Sequence, residues 1–123
     1  MTALKKILIV DDNLEIKKTL SMRFEIEGYS VMAAQDGEEA LSLIKKDKPD
    51  LIILDLMIPK IDGFEICRML KFNDKFKNIP IIVLSALDND EDRQKAIKNG
   101  ADECFIKPFD LGLLTTKIKS LIG

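Results

Sequence analysis

The chain has 123 residues, 46% of them apolar and a third charged, with 19 basic against 21 acidic side chains and a formal net charge of -2. That length and apolar content suffice for one hydrophobic core without disulfides or a structural metal. The near balance of interspersed charge gives no basic face to grip a phosphate backbone, so no direct nucleic-acid binding is expected, and no apolar run approaches the roughly 20 residues that cross a bilayer, so no membrane insertion is expected.

In chain order, Met1 to Lys6 leads into the first apolar run without the hydrophobic region of a signal peptide. Ile7 to Val10 reads as a strand, followed by a helical stripe of Ile16, Leu20 and Phe24. Ser30 to Ala34 is a weaker strand. Asp36 with Glu39 marks the next helix start, the first side chain accepting from orphan amides and the second returning a bond in a capping-box manner, and Ala40, Leu41 and Ile44 form its stripe. Leu51 to Leu54 is a continuous aliphatic strand. Asp62 with Glu65 opens a third helix carrying Phe64, Cys67 and Leu70. After the strand Ile81 to Leu84, Asp88 is a cap candidate for a segment from Asp90 to Asn99 in which only Ala96 and Ile97 offer apolar contact, so a loosely held helix is expected. Glu103 to Ile106 is a second weak strand, and Asp110 caps a final helix with Leu111, Leu114, Ile118 and Leu121. The two cysteines, Cys67 and Cys104, sit in separate apolar stretches and form no C-x-x-C pair. They read as buried, reduced thiols, a usage that suits the cytoplasm.

Five alternations of strand and helix imply a parallel sheet with right-handed crossovers and helices on both faces. The three continuous Ile/Leu/Val runs suit strands covered on both sides, and the two weaker runs suit the edges. In such sheets ligands sit outside the carboxyl ends of the strands. The residues there are Asp11 and Asp12 after the first strand, Asp55 after the third, Ser85 after the fourth and Lys107 after the fifth. Each has a plain structural account taken singly, as a helix cap, a strand end or a surface lysine. Their joint placement on one rim favours a shared site. Carboxylates gathered there repel by on the order of 4 kcal/mol per close pair at an effective dielectric of about 20. Lys107 offsets part of this, and hard oxygen donors in an open cleft also suit Mg²⁺ (or Mn²⁺), which binds through one or two carboxylates and keeps several waters. With a phosphoryl donor, Asp55 becomes a nucleophile forming an acyl phosphate, while Lys107 and Ser85 hold the transferring oxygens.

These residues resemble the receiver domain of two-component response regulators, over the whole chain. Ile7-Leu8-Ile9-Val10-Asp11-Asp12 looks like the family's acidic pair, and Asp55-Leu56-Met57-Ile58-Pro59 with Asp62-Gly63 looks like its phosphoacceptor motif. Ser85-Ala86 looks like its switch hydroxyl and small neighbour, and Lys107-Pro108-Phe109 like its lysine and proline. The resemblance implies an α/β, flavodoxin-like (βα)5 three-layer sandwich with strand order 2-1-3-4-5, and a single receiver domain over 1–123 with no output domain in this chain. It further implies that Asp12 and Asp55 hold Mg²⁺ by side chain, Met57 by its backbone carbonyl and Asp11 mainly through water. Ser85, Ala86 and Lys107 would contact the phosphate, and the Lys107-Pro108 bond would be cis, which proline permits. The phosphoryl donor would be a histidine kinase or phosphotransfer protein. Phosphorylation would move Ser85 and turn Phe105 inward, shifting the population between two packings. Output would run through a downstream protein or self-dimerisation on the face 88–122. Phe105 departs from the tyrosine of many relatives and lacks its hydroxyl.

Other readings fare less well. A phosphatase of the haloacid-dehalogenase class needs a second Asp two residues after its nucleophile, where Met57 stands, and the chain has no His. No turnover enzyme is therefore expected, although the domain would assist its own phosphorylation and dephosphorylation. A flavodoxin-like flavin carrier would set its phosphate against Asp11 and Asp12. A receiver-like binding module that has lost phosphorylation would not need all of these polar groups.

Overall fold

The computed structural model describes residues 4–86 and 90–123. Its elements are β1 (Lys6–Val10), α1 (Leu14–Ile26), β2 (Ser30–Ala34), α2 (Gly37–Lys46), β3 (Leu51–Asp55), α3 (Gly63–Lys71), β4 (Ile81–Ser85), α4 (Asp90–Lys98), β5 (Glu103–Ile106) and α5 (Leu111–Ile122). The five strands form one parallel sheet in the order β2-β1-β3-β4-β5, so the two weaker runs do lie at the edges.

Side chains alternate across a strand, and here both faces are apolar. Leu8, Val10, Ile52, Leu54, Ile81 and Val83 face one layer, where they pack with residues of α2, α3 and α4 such as Ile44, Ile66 and Ala96. Ile7, Ile9, Leu51, Ile53, Ile82 and Leu84 face the other, against Leu20 and Phe24 of α1 and Leu114 and Ile118 of α5. The result is the expected three-layer sandwich. Cys67 and Cys104 are buried free thiols, and burial pushes Cys67 up to about 12, leaving it neutral.

The helix starts follow the sequence with adjustments. Asp36 accepts from Glu39 N at 2.9 Å, but the Glu39 carboxylate accepts from Gln35 N, one residue before the cap, rather than from the cap residue itself. Asp62 accepts from Phe64 N at 2.7 Å and Asp110 from Leu113 N at 3.0 Å. Asn13, a cap the sequence analysis did not single out, accepts from Ile16 N at 3.0 Å. In α4, Ala96 is buried, but Ile97 is 44% exposed rather than packed, because the helix presents a strongly polar sequence with one small apolar contact to the sheet. Asp88 lies outside the described residues.

Candidate functional site

Register brings the polar residues to one level. Val10 pairs with Leu54, Asp55 with Leu84, and Ser85 with Ile106, so Asp11, Asp55, Ser85 and Lys107 all stand at the carboxyl rim. Lys107 N donates to Ser85 O at 2.7 Å, extending the β4–β5 ladder by one bond, and the Lys107–Pro108 peptide is cis. From β5 the lysine side chain reaches across β4, over roughly 10 Å of sheet, toward β3 and β1. Its Nζ lies 3.0 Å from Asp11 Oδ2 and 3.3 Å from Asp55 Oδ2.

The carboxylates are unequal. Asp11 and Asp55 are 2% and 7% exposed, whereas Asp12 is exposed. Asp11 Oδ1 accepts from Asn13 N at 2.8 Å, and Asp55 Oδ1 accepts from Met57 N at 3.0 Å, so each buried aspartate has one oxygen held by a backbone amide and the other facing the ammonium. Burial by itself lowers the Lys107 pKa, but hydrogen bonds and charge from Asp11 and Asp55 outweigh it and hold the ammonium above its ordinary value. Ser85 is buried at the end of β4, Ala86 is exposed beside it, and the Met57 side chain is 61% exposed. Phe105 is not part of this cluster. It is half-buried on β5 and packs with the layer of α1 and α5.

The loop between β3 and α3 is clamped by contacts that the motif reading missed. Gly63 N donates to Leu56 O at 3.2 Å, and a methyl group at Gly63 would lie 2.6 Å from Leu56 Cα. On the other side Gly37 N donates to Pro59 O, and a methyl group there would meet Ile61 Cβ at 2.6 Å. Lys60, at a φ of 73°, sets its Nζ 3.6 Å from Asp36 and 3.5 Å from Glu38. The repeated Asp-Gly pair, Asp36-Gly37 and Asp62-Gly63, is the signal in the sequence for this clamp as well as for the two helix starts. Two glycines thus let the amino ends of α2 and α3 close on the segment that follows Asp55.

One oxygen from each of Asp11, Asp12 and Asp55 falls in a cluster whose members lie within 4.8 Å of one another. Hard, anionic, partly exposed oxygen donors beside an open cleft of about 600 Å³, bordered by Asp12, Met57, Lys60 and Phe64, fit a small dication that retains water. The aspartates would supply the protein ligands.

The model of the response regulator receiver domain matches residues 7–119. The chain belongs to that family. Among its relatives, the probable transcriptional regulator ycf27 of Porphyridium aerugineum is 43% identical over 118 residues, which is 96% of this chain and 48% of the relative. The response regulator MprA of Mycolicibacterium vanbaalenii is 41% identical over 117 residues, 95% of this chain and 50% of the relative. The receiver domain thus spans about half the length of these relatives. Among solved structures, a putative response regulator from Chloroflexus aurantiacus superposes with a TM-score of 0.92 at 32% identity, covering 98% of both chains. The chemotaxis response regulator CheY4 of Vibrio cholerae does so with 0.89 at 31%, covering 97% of this chain and 99% of that one. Receiver domains of response regulators are the phospho-accepting switches of two-component signalling, and this domain is one of them. No helix among the described residues is long and apolar enough to cross a membrane.

Proposed function

We propose that Asp55 is the phosphoacceptor of this receiver domain, taking its phosphoryl group from a histidine kinase or histidine phosphotransfer protein. The observation that carries the proposal is the place of Asp55 at the end of the central strand β3, between the acidic pair after β1 and Ser85 at the end of β4, with Oδ1 held by Met57 N–H and Oδ2 facing the Lys107 ammonium. A carboxylate oxygen attacks phosphorus as the P–N bond to the donor breaks; the donor imidazole, protonated on its other ring nitrogen, takes back the electron pair and leaves as neutral histidine, and an aspartyl phosphate remains. Lys107, already held between Asp11 and Asp55, then neutralises an oxygen of the transferred group, and Ser85 and Ala86 bound the phosphate from the end of β4.

Asp11, Asp12, Asp55 and the Met57 carbonyl would hold Mg²⁺, with Mn²⁺ as a substitute of the same hard character. When bound, the ion supplies the positive charge that the transferring oxygens need. Occupancy of Asp55 by phosphate changes the charge at the junction of β3, β4 and β5, and Ser85 and Phe105 relay that change along β4 and β5. Residues 1–123 work as one receiver unit inside the cytoplasm, a signalling switch rather than a turnover enzyme. The unit signals to a downstream protein or a second copy through the face 88–122, with no nucleic-acid contact of its own.

The test is incubation with acetyl phosphate, with and without Mg²⁺, read by intact mass for the wild type and Asp55→Asn. One added phosphoryl mass that needs Mg²⁺ and vanishes in the variant, with amide shifts near Ser85 and Phe105, supports the assignment. Uptake that persists in Asp55→Asn, or no uptake together with an unchanged spectrum under a beryllium fluoride mimic, refutes it.

A further inference from the structure

We propose that the groove between the carboxyl-terminal ends of α3 and α4 is a docking site for an acidic protein segment that lays an apolar side chain on Phe72. The groove holds about 430 Å³ and is lined by Arg68, Lys71, Phe72, Lys95, Lys98 and Asn99. Phe72 is 83% exposed, a large aromatic left in water just past the end of α3. Its rim has four cations and no carboxylate.

These cations differ from the ion-paired basic groups of the chain, although surface lysines elsewhere, such as Lys17 and Lys46, also have no carboxylate partner among the described residues; what sets the groove apart is that its cations converge. Lys6, Lys60, Lys77, Lys107, Lys117 and Lys119 each face a carboxylate. Among the described residues Arg68, Lys71 and Lys98 have no such partner, and Lys95 instead lies over the Phe64 ring, 4.4 Å from its centroid. Asn99 donates its side-chain amide to Lys95 O at 2.7 Å and, being neutral, offers the groove no counter-charge. Basic residues in a last helical turn complement the helix dipole, which accounts for each cation separately. It does not account for two helices converging their cations around one exposed aromatic. An aromatic anchor ringed by unpaired charge is the arrangement that protein interfaces use, with the ring supplying affinity and the charges supplying register and encounter rate.

Charge complementarity sets the occupant. The chain as a whole carries -2, so this local excess of positive charge stands against an acidic background. It is a short groove rather than a stripe able to follow a nucleic-acid backbone, which favours a protein segment. In a parallel sheet the helices run back against the strands, so their carboxyl ends lie at the opposite pole from Asp55. A segment seated here leaves the phosphorylation rim open.

The full chain, ¹⁵N-labelled, would be titrated with a short synthetic peptide of glutamate and aspartate around one central leucine, with a copy carrying lysine at every acidic position, and with a single-stranded oligonucleotide. Expected are amide shifts concentrated at residues 68–72 and 95–100 for the acidic peptide, weakening with added salt. The double variant Arg68→Glu, Lys98→Glu loses about tenfold or more in affinity, and Phe72→Ala loses affinity while keeping a well-dispersed spectrum, because it removes an exposed side chain. Asp55→Asn binds as the wild type does, which separates the groove from the phosphorylation site. Shifts spread evenly over the surface, equal binding of the lysine copy, tighter binding of the oligonucleotide, or indifference to the charge reversal would each overturn the proposal.

Discussion

Lys107→Met tests how the rim is held together. The ammonium stands 3.0 Å from Asp11 and 3.3 Å from Asp55, and at an effective dielectric of about 20 such pairs attract by roughly 5 kcal/mol each before desolvation is counted. Desolvation cancels much of that, and breaking a buried pair costs about 3–5 kcal/mol, chiefly because charge is left behind without a partner. The Lys107 side chain is 20% exposed, so the lower end applies, about 3 kcal/mol in the absence of a divalent cation. The variant leaves Asp11, Asp12 and Asp55 clustered within 4.8 Å and less compensated, so Mg²⁺ should bind it more tightly than it binds the wild type. The ion stabilises both proteins, so the deficit shrinks by RT ln of the ratio of their dissociation constants, and a variant that binds about twentyfold more tightly recovers about 1.8 kcal/mol. Urea unfolding in EDTA and in millimolar Mg²⁺ is the assay. The expected result is a large deficit in EDTA that shrinks by more than half with Mg²⁺, while phosphoryl uptake falls by about a hundredfold or more for loss of the positive group. The sign with pH is also fixed. A lysine whose folded pKa is raised contributes fully below its ordinary range and loses that contribution as pH rises through the folded value, so the gap between wild type and variant should close only in alkali. An equal deficit with and without Mg²⁺, or weaker Mg²⁺ binding by the variant, would refute the reasoning.

Gly63→Ala should destabilise by about 1–3 kcal/mol in urea unfolding, because the new methyl group meets the Leu56 backbone at 2.6 Å and main chain cannot swing aside as a side-chain tip can; an unchanged midpoint would show that the segment after Asp55 moves freely. Asp36→Asn keeps a cap but removes a charge. Asp36 is held below the ordinary carboxylate value first by the Glu39 amide, against burial, and then by Lys60, so its contribution is present above that value and disappears as pH falls through the lowered one. The variant's stability should therefore fall less steeply than the wild type's over the acid limb, measured by thermal unfolding, and parallel curves would contradict this. Tyr29→Phe should leave stability unchanged or raise it by about 1 kcal/mol, because the buried Tyr29 hydroxyl has no hydrogen-bond partner among the described residues; a loss of that size would reveal one.

The aliphatic runs were legible because a strand covered on both faces must be apolar at every position, and Ile7 to Val10, Leu51 to Leu54 and Ile81 to Leu84 have no other economical use. The residues just beyond them were legible for the complementary reason, since charge directly after such a run has to emerge at the sheet's rim. The Ile97 contact was misjudged because periodicity gives a stripe but not the depth to which a polar helix settles on the sheet. The Asn13 cap is masked in the sequence by the two aspartates before it, either of which has the chemistry of a cap.

By itself the sequence determined the alternation of elements, the edge and central strands, and the residue types at the rim, because hydrophobic period and local capping depend on neighbours along the chain. Tertiary structure alone decided which oxygen of Asp55 faces Lys107, how Gly37 and Gly63 clamp the following loop, and that Arg68, Lys71, Lys95 and Lys98 gather around Phe72. Those arrangements join residues from different βα units. They follow from strand order, register and helix packing, which no local pattern encodes.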